Sequence, residues 1–414
     1  MRVAVVQRMS HRSEYNLDEL KELCRTAGYE PCYSLTQVRP AHPRYNIGPG
    51  KVEELKAAVK RLGISKVFFE NEIKPVQEYN LAKSLGIPVM SRTQLILEIF
   101  TRRAASAEAK LQIKLAELRY ELSRAREKVR LAKKGEQPGF HGLGAYEADV
   151  YYNEVSRRMI SIMEKLAVIK RRNTLLRTRR AEDGIPTVAL TGYTNAGKST
   201  LFNLLSGEQR PVSPQLFTTL STATRLATFE GRRAYISDTV GFIRNLPPLV
   251  VDAFNSTLSE FVYADLILLV VDISEDVRAV SEKLNTSLSI LHEVGVRNNP
   301  ILIVFNKLDL CRTDALSKVE SLQLHQPYVI VSAYTGENIQ QLSRMVSEMM
   351  GGYVRIWAVL GNGSLSQEII SSLRRDANLF HLDYGTDRIE LEADTPIGLA
   401  ERIRRAAKAF QVVG

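Results

Sequence analysis

Cysteine is scarce: Cys24, Cys32 and Cys311 are the whole complement, an odd and scattered set with no paired metal spacing. That excludes a disulfide framework and reads as buried or free thiols in a reducing compartment. Long apolar runs are missing as well. The longest, LILLVV at residues 266–271, falls far short of the ~20 residues that a membrane-spanning helix needs. The opening MRVAVVQRMSHRSEYN lacks a signal peptide's extended apolar region and small-residue cleavage site, so a cytosolic location is expected. No internal repeat or low-complexity tract is visible. Acid is nearly absent from one stretch: between Val155 and Arg180 the only carboxylate is Glu164.

The 414 residues exceed one ordinary core, and a hydrophobic content of 44% with 25% charged residues is that of a soluble globular chain. The formal charge of +10 makes polyanions natural partners, either nucleic acid or an acidic membrane surface, although a modest basic excess also simply aids solubility. Up to about residue 90, short strands such as RVAVVQ, YEPCYSLTQV and KVFFE alternate with helical LDELKELCRTAG, KVEELKAAVKRLG and VQEYNLAKSLG, the pattern of a small parallel α/β domain. Residues 91–182 change texture. Leu111, Leu115, Leu118, Leu122, Ala125 and Val129 form one heptad seam, and Val155, Met159, Ile162, Leu166 and Ile169 form another. The glycine-rich EQPGFHGLGAYE lies between them, so a long antiparallel helical hairpin is expected, its first helix about 60 Å long if continuous to Lys134. Residues 183–351 read as a nucleotide-binding α/β domain. Residues 352–414 read as a small α+β unit of β-α-β-β-α order, whose last helix spans IGLAERIRRAAKAF.

The strongest signal is GYTNAGKST after the apolar PTVAL: Gly192, four residues, then Gly197, Lys198 and Ser199. Such glycines let backbone N–H groups turn around phosphates, and a following helix adds its positive end. Tyr193, Thr194, Asn195, Ala196 and Thr200 complete the candidate loop. Lys198 should reach the β- and γ-phosphates, and the Ser199 hydroxyl should ligate Mg²⁺. AYISDTVGF supplies Asp238, suited to hold a magnesium-bound water, and Gly241, whose N–H can meet a γ-phosphate. ILIVFNKLD places Asn306, Lys307 and Asp309 after another apolar strand. A carboxylate there accepts both the ring N–H and the exocyclic amine of guanine, a donor pair that adenine cannot offer. The three elements in this order imply GTP and GDP binding with Mg²⁺, and hydrolysis of GTP. Lys198 and Gly241 are the candidate catalytic residues that these elements offer.

The same strings resemble the translation-factor-related GTPases. The resemblance implies that Thr219, beside Phe217 and Thr218 in FTTLSTATR, is the switch threonine closing on Mg²⁺ and γ-phosphate, and that Ser332 and Ala333 pack on the base. Asn195 matches the asparagine that potassium-stimulated members use, so K⁺ is a candidate second cation. Phe242 stands where many members carry a water-orienting glutamine; either intrinsic turnover is slow, or the ring merely packs under the switch, or both.

Both hairpin helices are rich in cations. Glu108, Glu117, Glu121 and Glu127 offer pairing to the first, but the second, with Arg157, Arg158, Arg171, Arg172 and Arg177, has almost no acidic partners. A charge run usually marks a solvated face; one this unpaired favours a polyanion. Phe140, His141 and Tyr146 in the glycine-rich tip either stack on unpaired bases or belong to a plain connector. YNIGPGKVEELK, SRTQLILEIFTRRA, GYTNAGKSTLFN, QLFTTL and DTVGFI, in this order with a basic hairpin, closely resemble the HflX family of ribosome-binding GTPases. The resemblance implies a monomeric, partly ribosome-associated factor that contacts the large subunit and its rRNA, and splits or rescues ribosomes under stress. Where many members read close to GxGPGETQLE before the second helix, this chain has GLGAYEADVYYNE, of which Gly142, Gly144 and Glu147 fit loosely. The competing readings are a GTPase of RNA modification, and a GTP-dependent switch recruiting a protein or an acidic membrane.

Overall fold

The computed structural model describes all residues except 12–14, 16, 134–144, 183, 209–215, 218–222, 240, 245–260, 312–313 and 414, and leaves undescribed the side chains of 126–133, 145–149, 173 and 176–182. Two units emerge, Met1–Ile169 with Pro214–Leu220 and Leu246–Phe254, and the remainder of the chain.

The first unit opens with a four-stranded sheet in the order β2-β1-β3-β4: β1 (Arg2–Met9), β2 (Glu30–Val38), β3 (Lys66–Phe69) and β4 (Val89–Ser91). Each pairing is parallel, an arrangement that needs a long crossover between successive strands. The crossovers are α1 (Leu17–Thr26), α2 (Pro49–Leu62) and α3 (Pro75–Leu85). Local chemistry sets their ends: Pro49 opens α2, where a missing N–H costs nothing, and Gly63 closes it at φ 62°. Next, α4 (Arg92–Arg103) starts on a capping box, with Gln94 N–H donating to Ser91 Oγ and Ser91 N–H to Gln94 Oε1. It buries Leu95, Ile96, Ile99 and Phe100, while the buried Arg92 pairs with Glu19 and Glu70 at 3.4 and 3.5 Å.

The first arm helix is therefore not continuous from residue 91. Ala104 turns extended, with ψ 105°, and Ser106 Oγ accepts the Ala109 N–H to start α5 (Ala107–Lys133) afresh. The break leaves α5 27 residues, about 40 Å. The longer helix is the second, α6 (Ala145–Glu182), 38 residues and about 57 Å. On α5, Leu115, Leu118 and Ala125 of the expected seam are buried. Among the described side chains of α6 only Val155 is fully buried; Met159, Ile162, Leu166 and Ile169 are half-buried, and Ile160 and Val168 are exposed. Tyr151 OH donates to Glu121 Oε2 at 3.4 Å, tying α6 to α5. The tip residues Phe140, His141, Gly142 and Gly144 lie outside the described residues, as do the side chains of Tyr146, Glu147 and Arg177.

The second unit holds a six-stranded sheet, order β10-β9-β8-β5-β7-β6: β5 (Thr187–Gly192), β6 (Ala223–Phe229), β7 (Arg232–Asp238), β8 (Leu266–Asp272), β9 (Ile301–Asn306) and β10 (Tyr328–Ile330). Only β6 runs antiparallel, paired with β7. The unbroken apolar run of β8 follows from its central place, since a strand covered on both faces cannot alternate. Its described helices beside the sheet are α7 (Lys198–Ser206), α8 (Val277–Val294), α9 (Ala315–Ser321) and α10 (Ile339–Met349). Then follow β11 (Tyr353–Gly361), α11 (Ser364–Asp376), β12 (Asn378–Tyr384), β13 (Arg388–Pro396), α12 (Ile397–Ala406) and β14 (Ala409–Val412), whose strands form an antiparallel sheet β12-β13-β11-β14. The last helix thus ends at Ala406, not at Phe410. Ala409–Val412 pairs with β11 instead, and Phe410 packs against the core of Ile356, Leu391 and Ile403. Fold class is as expected, α/β with an α+β C-terminal sheet.

Candidate nucleotide site

In the six-stranded sheet, parallel register brings the carboxyl ends of five strands to one edge, the usual place for a ligand in such sheets. Leu190 pairs with Asp238, Gly192 with Val270, and Asp272 with Asn306. The candidate nucleotide residues that are described in this unit lie on that edge, on the loops leaving it or at the start of α7.

The loop from Gly192 to Gly197 needs glycine at both ends. Gly192 sits at φ 136°, and a Cβ there would run into the Val270 carbonyl; Gly197, at φ 90°, has the Asn306 amide in the same place. Asn195 takes the left-handed region too, φ 64°, which asparagine tolerates. Lys198 begins α7 with its ammonium buried, donating to the Tyr193 carbonyl at 2.8 Å. Burial pushes that ammonium down to about 8, with the Asp238 carboxylate pulling the other way. Ser199 Oγ donates to Asp238 Oδ2 at 3.1 Å.

The segment after Asp238 is zipped onto this loop. Phe242 N–H donates to the Gly192 carbonyl at 2.9 Å, and Thr194 N–H to the Phe242 carbonyl at 2.7 Å. Gly241 is thereby brought so near that a Cβ on it would stand 2.7 Å from Lys198 Nζ. Phe242 itself is buried, edge-on to Phe261 with centroids 6.1 Å apart. Its ring packs beneath the loop, and no side chain from this position reaches out to orient water.

Asn306 joins the phosphate side to the base side. Its Nδ2 donates to the Ala196 carbonyl at 2.8 Å, and its Oδ1 accepts the Ala333 N–H at 2.9 Å. Ser332 Oγ donates to Asp309 Oδ1 at 2.5 Å, holding that carboxylate beside Ala333. Lys307 enters the left-handed region at φ 68° and pairs with Asp272 at 2.6 Å. Asp272, which the sequence reading did not single out, has a local signal: an acid closing an otherwise apolar strand. The contact of Lys283 over the Tyr193 ring, 5.0 Å from its centroid, has none.

Family models match most of the chain up to Lys307: "GTP-binding GTPase N-terminal" over residues 14–101, "GTP-binding GTPase Middle Region" over 103–180 and "50S ribosome-binding GTPase" over 187–307. The chain belongs to the HflX family of GTPases. The GTPase HflX of Thermococcus kodakarensis is 46% identical over 77% of this chain and 72% of its own length; that of Thermofilum pendens is 44% identical over 90% and 89%. A crystal structure of a GTP-binding protein from Sulfolobus solfataricus in complex with GDP is 29% identical, covering 84% of this chain and 99% of that one at a TM-score of 0.46. As a member of this family the chain is a GTP hydrolase.

The remaining candidates stand elsewhere or outside the description. Thr218 and Thr219 are not among the described residues. Phe217 is buried in the first unit, edge-on to Phe100 at 4.6 Å, next to Leu216, whose N–H donates to Thr26 Oγ1 at 3.2 Å. On α6, Arg157, Arg171 and Arg172 are exposed, and Arg158 pairs with Glu154. Among the described residues no helix is long and apolar enough to cross a membrane.

Proposed function

We propose that this GTPase associates with the large ribosomal subunit through the basic α5–α6 arm, with its nucleotide state controlling that engagement, and that it splits or rescues ribosomes under stress. Two observations support the reading: the family description of residues 187–307 as ribosome-binding, and the exposed arginines of α6 with few acids to answer them.

For the nucleotide, one observation carries the assignment: Asn306 bonded to both Ala196 and Ala333. It holds the phosphate loop and the base loop as one rigid piece. The amides of Tyr193 to Thr200 and the Lys198 ammonium would grip the phosphates, and Asp309 would select guanine. A hydroxyl and a carboxylate already in contact, Ser199 and Asp238, are the hard oxygen donors that Mg²⁺ prefers, so these residues fit the ion, with Thr219 as its switch ligand. Bound there, Mg²⁺ would neutralise charge developing on the phosphates. Gly241 N–H would meet the γ-phosphate.

With Phe242 buried, alignment of the attacking water falls to the ribosome or to a cation. Asn195 is the residue assigned to K⁺. Single-turnover hydrolysis should run several-fold faster in potassium than in sodium buffer; equal rates would remove the cation. For the ribosomal role, co-sedimentation with separated subunits should show a non-hydrolysable GTP analogue favouring the large subunit over GDP. Equal recovery with both nucleotides, or binding to acidic vesicles in place of ribosomes at matched ionic strength, would overturn it.

A further inference from the structure

Away from the nucleotide edge, a cavity of about 280 Å³ opens between the β6–β7 hairpin and the two helices of the C-terminal sheet. Arg233 and Tyr235 reach it from β7, Ser372, Arg375 and Asp376 from α11, and Arg402 from α12. We propose that this cavity binds a small phosphorylated anion, a phosphate or diphosphate group, independently of the GTP site.

The charge balance argues for it. Three guanidiniums face one carboxylate. Asp376 accepts from Arg233 and, at 2.8 to 3.2 Å, from Arg375. Arg233 also donates to the Arg375 carbonyl at 2.8 Å, which fixes its fork at the wall. Arg402 is exposed and has neither an acidic nor a hydrogen-bond partner among the described residues. Among the lining residues one carboxylate thus stands against three guanidiniums, a cationic excess in a concave site that attracts an anion. Planar guanidinium forks match phosphate oxygens two at a time, and the Ser372 hydroxyl adds a neutral donor. The walls are predominantly polar, which suits an anion better than an apolar ligand. At about 280 Å³ the space is at the small end of ligand pockets, enough for a phosphate or diphosphate and too small for a nucleic-acid helix. Opposite charge is already used in the neighbouring contacts. Arg232, beside Arg233 but outside the lining, is committed to Asp394 at 2.5 Å and to the Ser347 carbonyl at 2.6 Å, so it does not compete for the anion.

The test uses the full chain saturated with GDP and Mg²⁺, titrated with inorganic phosphate at constant ionic strength and followed by calorimetry or by phosphorus NMR. Arg402→Gln and Arg402→Glu are compared with the unaltered protein, and a short single-stranded RNA is titrated in parallel. The expected result is one saturable phosphate site, about tenfold weaker in R402Q and lost in R402E, with GDP affinity the same in all three proteins. Absence of saturable binding, or binding that R402E leaves unchanged, would overturn the proposal. RNA binding that depends on Arg402 and that phosphate does not displace would overturn it too, by assigning the arginines to a nucleic-acid face.

Discussion

Lys198 shows how much of the site's character sits in a single side chain. Its ammonium is buried, and its pKa falls from 10.5 to about 8 because burial penalises the charge. The folded chain therefore holds fewer protons than the unfolded one between those two values, and stability rises with pH across that window. The full span amounts to up to about 3 kcal/mol from this one group. In Lys198→Met that contribution disappears. The difference in urea stability between the nucleotide-free wild type and K198M should shift in favour of the wild type as pH climbs from 8 to 10.5, while hydrolysis is abolished in the variant at every pH. A pH-independent difference would mean that the ammonium is not desolvated. The loop around Lys198 was legible in the sequence because its chemistry is local: glycines where φ is positive, a strand before and a helix after. Asn306 was legible as a motif, but its two bonds, to residues 110 positions earlier and 27 positions later, were visible only in the structure.

Among the elements, the β6–β7 hairpin is the one whose support no sequence pattern announced. Its partners come from far along the chain. Tyr353 OH accepts the Arg233 N–H at 2.7 Å and donates to the Arg233 carbonyl at 2.9 Å, and burial pushes this phenol up to about 12. Arg232 stacks over the same ring, 5.4 Å from its centroid. Replacing Tyr353 by Phe keeps the ring and strands both backbone groups, at a cost of about 1–3 kcal/mol. The midpoint of urea unfolding should fall accordingly with an unchanged slope, and GDP affinity should hold, since Tyr353 touches none of the nucleotide residues. A midpoint within error of wild type would show that water replaces the phenol. Helices and strands themselves were mostly legible from periodicity. The exceptions have physical causes: Ala104 interrupts a run of helix formers because α4 is claimed by the core under Phe100, and AAKAFQVV, helical by composition, is drawn into the sheet by β11 and by burial of Phe410.

At the scale of the whole molecule the excess of ten positive charges is unevenly spread, and the part of α6 between Val155 and Arg180 concentrates it. Neither helix propensity nor apolar burial requires that: among the described side chains of α6 only Val155 is fully buried, and Arg157, Arg171 and Arg172 point to solvent. Like charges at such spacing oppose one another unless counterions or a polyanion gather around them. If that polyanion is RNA, each contacted phosphate releases counterions, and binding must weaken with salt in proportion to the number of contacts, with a slope of about 0.7 to 0.9 per contact. Neutralising three contacts, as Arg157→Gln, Arg171→Gln and Arg172→Gln together, should lower the slope of log affinity against log salt by about 2 to 3. The consequence is specific: between 50 and 200 mM salt, the wild type should lose about 20- to 40-fold more affinity for the large subunit than the triple variant does. Weaker binding at an unchanged slope would mean that these arginines act through the fold of α6, and equal binding at all salt concentrations would take the helix out of the interface altogether.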